Sequence, residues 1–185
     1  YNKSEDPTIF CHLSDTHINV NRPSSISMFS KTVSLMKSYS PDFIIHTGDI
    51  VDNYDSIHIP KYGDQDKSNW KAYKNISDIL NDIEVIETVG NHDMFGVESY
   101  DSPHNYALDY THSMTRKDVK TEENFQIRMF EVGRFLTVIA LNPLSFPFVH
   151  SPLIMNMPLP TKILDILQDK VEKSEGKCIV VSHFP

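Results

Sequence analysis

Nowhere does this sequence stay apolar for the roughly 20 residues that cross a bilayer as a helix, so no span lies within its 185 residues. Excess positive charge is also missing: 17 basic against 25 acidic side chains leave a formal charge of −8. That balance disfavours a surface that grips nucleic acid through phosphate contacts alone. It leaves a phosphorylated substrate open, because bound cations reverse the sign locally. Cysteine is limited to Cys11 and Cys178, too few for a disulfide framework. Both sit in apolar, strand-like runs and read as buried free thiols, with one bridge between them as the alternative. Internal repeats and low-complexity tracts are absent.

What is there suits an ordinary globular chain, 39% hydrophobic and 23% charged. It is long enough for one well-buried domain and too short to suggest two. Starting at Tyr1 and stopping at Pro185, it reads as a piece of a longer protein, with any upstream signal or anchor out of view. Asn2-Lys3-Ser4 and Asn75-Ile76-Ser77 match the glycosylation sequon, which matters only in a lumenal or extracellular setting. Neither compartment nor oligomeric state follows from the sequence.

Strand-like runs are expected over residues 8–13, 43–46, 84–89 and 177–181. Ser24 or Ser25 is placed to cap a helix running to about Tyr39, and a second helix is expected near Trp70–Leu80. Thr161 is placed to cap a third. Strand–helix–strand alternation implies βαβ units and a largely parallel sheet. Residues 124–130 and 134–141 flank Glu131-Val132-Gly133 and suggest a hairpin, hence an antiparallel component. Residues 97–123 are polar and carry no clear pattern. Five prolines (Pro143, Pro147, Pro152, Pro158 and Pro160) mark residues 142–160 as a surface loop, packed on its own domain or serving as a lid or contact surface.

Four of the apolar runs lead into metal-binding residue types. Asp15 and His17, two apart, would project to one side of an extended backbone. Alone, that pair reads better as a turn aspartate beside a surface histidine. Gly48-Asp49-Ile50-Val51-Asp52 pairs a glycine that permits a tight turn with a carboxylate able to bridge two cations. Gly90-Asn91-His92-Asp93 is the most specific element: Asn91 offers a neutral oxygen ligand, and His92 a proton or positive charge. Val181-Ser182-His183 ends the last strand with a further imidazole. Residues at the carboxyl ends of buried strands converge where open α/β sheets place ligands, so the joint pattern points to a two-metal hydrolytic centre.

In their order D-x-H, G-D-x-x-D, G-N-H-D and a late strand-end histidine, these motifs resemble the calcineurin-like metallophosphoesterase superfamily, from Thr8 to Pro185. The resemblance implies a four-layer α/β/β/α sandwich with mixed sheets. It implies that Asp15 and His17 hold one metal, that Asp49 bridges, and that Asn91 and His183 hold the other. His92 would be non-ligating, protonating the leaving oxygen or stabilising the transition state, with Asp52 orienting it. The family usually closes its site with a G-H-x-H motif, so the fold is expected to be truncated on its C-terminal side here. Trp70, Tyr73 and the proline-rich stretch also resemble a branch whose phosphoesterase domain precedes transmembrane helices, an anchor that would lie outside this chain.

The expected activity is phosphoester hydrolysis by a hydroxide bridging two cations about 3.5–4 Å apart. Manganese, iron or zinc all suit a mixed imidazole–carboxylate site. The alternative is an inactive protein-interaction scaffold on the same fold, a role in which His92 would be dispensable. Nuclease action is disfavoured by charge. Asn19, Arg22, Asn53, His58 and His104 either shape a substrate pocket or are solvated. Phe95 either walls the pocket or joins the core.

Overall fold

In a computed structural model, residues 9–52, 65–122, 126–142 and 160–184 are described. The proline-rich segment 143–159, Asn2, Asn53 and His58 therefore lie outside the described residues.

The first half forms three parallel strands, β1 (Phe10–Leu13), β2 (Phe43–Thr47) and β3 (Glu84–Thr88), in that order across one sheet. Helices α1 (Pro23–Ser38) and α2 (Lys67–Ser77) are the crossovers, with a 3₁₀ turn over Asp78–Leu80 closing the second. The four-residue helices α3 (Asn91–Met94) and α4 (Ala107–Tyr110) follow β3. A second sheet runs in the order β4 (Lys120–Glu122), β5 (Ile127–Val132), β6 (Leu136–Leu141), β7 (Lys177–Ser182). Its first three strands are antiparallel, and β7 joins β6 in parallel after helix α5 (Thr161–Glu172).

Alternation along the strands builds the layers. Phe43, Ile45 and Ile86 face Phe130, Val132, Val138 and Ala140 of the other sheet, making the core between sheets. Ile44 and Val85 point the other way, under Phe29, Val33 and Met36 of α1 and Trp70 and Tyr73 of α2. On the far side Ile127, Ile139 and Leu141 meet Ile163 of α5. The result is the expected α/β/β/α sandwich.

Local starts differ from expectation for identifiable reasons. Neither Ser24 nor Ser25 caps α1: Arg22 is the N-cap, and Pro23 occupies the first turn, where a missing N–H costs nothing. Ser25 Oγ instead accepts from the Asn19 amide (3.1 Å). Helix α2 begins at Lys67 because Asp66 caps it through the Ser68 amide (2.8 Å). Pro160 holds the N-cap of α5, so Thr161 is already helical. In the hairpin, Glu131 and Val132 belong to β5, Val132 pairing with Leu136; the turn is Gly133-Arg134-Phe135. Cys11 and Cys178 are free and half-buried rather than buried, on strands of different sheets. No helix among the described residues is long and apolar enough to cross a membrane.

Candidate metal centre

The backbone keeps pairing beyond the ends of β1 and β2. The amides of Asp15, His17 and Ile18 donate to Gly48 O (3.0 Å), Asp49 O (3.0 Å) and Ile50 O (2.9 Å), and Asp52 N returns to Ile18 O (3.0 Å). Two loops thus run side by side and carry their polar side chains together. Asp15 and His17 do so by a different route from the extended one expected. Both have positive φ (54° and 44°), as does Asp49 (49°), a left-handed conformation that non-glycine residues adopt at a cost. Glycines permit the remaining closeness. Gly48 has φ 91°, and a Cβ on it would lie 2.6 Å from the Gly90 amide nitrogen.

The predicted ligand residues converge. Oxygen and nitrogen atoms of Asp15, Asp49 and His183 lie within 4.8 Å of one another, and so do those of His17, Asp52 and His92. Asp49 Oδ2 is 3.6 Å from His17 Nε2 and 3.5 Å from His183 Nε2, so one carboxylate faces two imidazoles. Asn91 Oδ1 is 3.3 Å from His183 Nε2. The other oxygen of Asp49 accepts the His92 amide at the start of α3 (2.9 Å).

Tautomers decide whether this donor set fits a cation. His183 Nδ1 lies 2.9 Å from Thr47 O, and a carbonyl only accepts, so Nδ1 carries the proton. In the neutral ring Nε2 then presents a lone pair toward Asp49 Oδ2 and Asn91 Oδ1. Three electron-rich atoms turned on one another are satisfied by a positive ion, and imidazole, carboxylate and amide oxygen suit a divalent transition metal. Burial also favours the neutral ring of His17, lowering its pKa against the raising effect of Asp49.

Beside the cluster, His92 Nδ1 donates to Asp52 Oδ1 (3.1 Å), and Arg22 pairs with the other Asp52 oxygen. The His92 ring meets His17 edge-on at 4.6 Å and Phe95 at 4.9 Å. Phe95 is buried in the core under α2, so it walls the histidine from within. Asn19 is structural, its side chain reaching Asp52 O (3.3 Å). His104 lies with Glu98 (2.8 Å).

Three supports escaped the sequence reading. Asp93, from the same motif as His92, accepts the amides of Gly90 (2.8 Å) and Val51 (2.9 Å), tying the loops after β3 and β2 together. Burial, then the nearby Asp49 charge, pushes its pKa up to about 7. Gln65 donates to Asp93 O and Phe95 O (both 2.7 Å) and accepts from Trp70 Nε1 (2.9 Å). Thr47 fixes the tautomer of His183. Arg22, which the sequence leaves between a substrate pocket and solvent, holds Asp52.

A family model described as calcineurin-like phosphoesterase matches residues 9–185. No curated protein matches the chain. Among solved structures, a dimetal phosphatase from Danio rerio superposes with a TM-score of 0.56 at 14% identity, covering 97% of this chain and 71% of the other. That likeness speaks for the fold; the family match, spanning nearly every residue of both sheets and all four metal-type loops, shows that this chain belongs to the calcineurin-like phosphoesterases.

Proposed function

We propose that the chain is a metal-dependent phosphoester hydrolase with a two-metal centre. Asp15 and His17 would hold one ion, Asn91 and His183 the other, and Asp49 would bridge them; manganese, iron and zinc all suit these donors. The observation that carries the reading is Asp49 Oδ2 lying 3.6 Å and 3.5 Å from two histidines on loops of different sheets. Bound there, two such ions would neutralise phosphoryl oxygens and make water acidic enough to attack phosphorus.

The remaining chemistry belongs to side chains. Asp52 accepts from His92 Nδ1 and so orients the ring, and the imidazole supplies a proton or positive charge to the departing oxygen. Arg22 keeps Asp52 in place through its second oxygen. Exposure of Asp15, against the burial of Asp49, leaves the cluster open on one side for an ester. In the native protein, His92→Ala is expected to lower turnover of an aryl phosphate roughly 10²–10⁴-fold with metal content unchanged. Undiminished turnover removes His92 from the reaction. No turnover by a fully metal-loaded native protein favours the scaffold role instead.

A further inference from the structure

A cavity of about 400 Å³ opens beside the candidate metal centre, between the loop after β1 and the first half of α1. Asp15 and His17 form one wall, so a group held there is adjacent to anything bound at the ions. Leu13 and Phe29 form its apolar floor. Phe29 is buried and stacks on Tyr73 at 5.4 Å, which fixes the floor in place. Along α1, Ser24, Met28 and Thr32 follow at every fourth residue and so share one helix face, the one turned to the cavity. Met28 stands 69% exposed on it, a polarisable thioether with nothing larger than hydroxyls to either side. At the end nearest His92 lies the Arg22 guanidinium, held by Asp52.

Resting on the hydrolase reading above, we infer that this cavity receives the organic group of the ester and selects an aromatic group over a short alkyl one. The volume falls in the range of small-molecule sites, and a methyl group would leave most of it empty. Its walls offer three contacts that a flat ring uses together: an apolar floor, a thioether for the ring edge and a planar cation for the ring face. The −8 net charge and the carboxylate wall at Asp15 disfavour a second anionic group away from the ions, and the Arg22 guanidinium in the lining is already paired with Asp52.

The test uses manganese-loaded native protein and two phosphonates that cannot be hydrolysed, 1-naphthylmethylphosphonate and methylphosphonate, titrated by calorimetry. The naphthyl compound is expected to bind about tenfold tighter or better, the gain that burying one ring face provides. Met28→Asp should abolish the preference while leaving methylphosphonate binding unchanged, and Met28→Leu should keep most of it. Equal affinities in the native protein, or a preference that survives Met28→Asp, overturn the inference. Turnover of 1-naphthyl phosphate and methyl phosphate separates the two readings. Loss of both activities with the phosphonate preference intact overturns hydrolysis alone. Hydrolysis of both esters, unaffected by Met28→Asp, overturns the cavity assignment alone.

Discussion

One methyl group added at Gly90 would stand 2.5 Å from the Asp49 amide nitrogen, against the carboxylate that faces both histidines. Gly90 has ordinary extended φ, so close approach rather than backbone freedom requires glycine here. Gly90→Ala is expected to cost roughly 1–3 kcal/mol in urea unfolding, as overpacking does, and to lower metal uptake by elemental analysis. Native-like uptake would mean that the loops can part without harm. His46 makes a second residue-scale case. It is wholly buried, with Nδ1 accepting the Gly48 amide (3.3 Å) and Nε2 donating to Thr16 Oγ1 (3.0 Å), and burial pushes its pKa down to about 3. Between that value and the ordinary 6.5, the unfolded chain takes up a proton that the folded chain refuses. Its contribution is therefore complete above pH 6.5 and falls as pH drops, by up to about 1.4 kcal/mol per unit. Asp93, with its pKa raised, gives the opposite slope, so the comparison with His46→Gln isolates the histidine. The two unfolding free energies should converge from pH 6.5 to 5, and parallel profiles would refute a neutral His46. The identities of the clustered residues were readable from glycine–acid and Asn-His spacing. Their left-handed backbone at Asp15, His17 and Asp49 was not, because the pairing that imposes it joins loops more than 30 residues apart.

Helices and strands were readable where apolar periodicity is strong, and their ends shifted where a cap outside the periodic stretch decides, as Asp66 and Pro160 do. Residues 97–123 carried no pattern because the apolar residues buried there (Val97, Tyr100, Ala107, Met114 and Val119) are widely spaced and interleaved with buried polar ones. Glu87 is fully buried on β3 and accepts from Tyr73 OH (2.7 Å), His112 N (3.0 Å) and Ser113 N (2.6 Å). Ser113 Oγ in turn accepts the Glu87 amide (2.9 Å), and Arg128 Nη2 donates to Ser113 O (2.5 Å). A carboxylate thus anchors the segment after α4 to the strand, alongside the buried Met114 side chain. Burial and the Glu87 charge both raise the Tyr73 pKa, so the phenol stays a donor throughout the accessible pH range. Removing that one donor with Tyr73→Phe leaves a buried carboxylate short of a partner. A loss of about 1–3 kcal/mol is expected in chemical unfolding, with hydrogen exchange quickening at the amides of His112 and Ser113. A neutral result would show that Glu87 holds the segment through backbone amides alone.

At the scale of the molecule, two sheets meet face to face, and the site spans them. Asp15, His17, Asp49 and Asn91 follow strands of the first sheet, whereas His183 follows β7 of the second. Which sheet the last strand joins could not be read from its residues, since Ile179 and Val181 are as apolar as any run in the chain; only its parallel pairing with β6 decides it. The hairpin and the βαβ units were readable, but their assembly into facing layers depends on which of two apolar faces each strand turns inward. An ion held by donors from both sheets binds the folded chain and not the unfolded one. Folding stability should then rise with metal concentration, by about 2.7 kcal/mol at a hundred times the dissociation constant. Chelator-treated protein titrated with manganese should show that rise as an upward shift of the thermal midpoint. His183→Ala removes the only ligand-type residue that the second sheet contributes among the described residues, and with it the link across the interface. The variant also loses the bond to Thr47 O, so its stability without metal falls and only the increment on adding metal is diagnostic. That increment should shrink by at least half, while an increment equal to the native one would place the ion wholly within the loops of the first sheet.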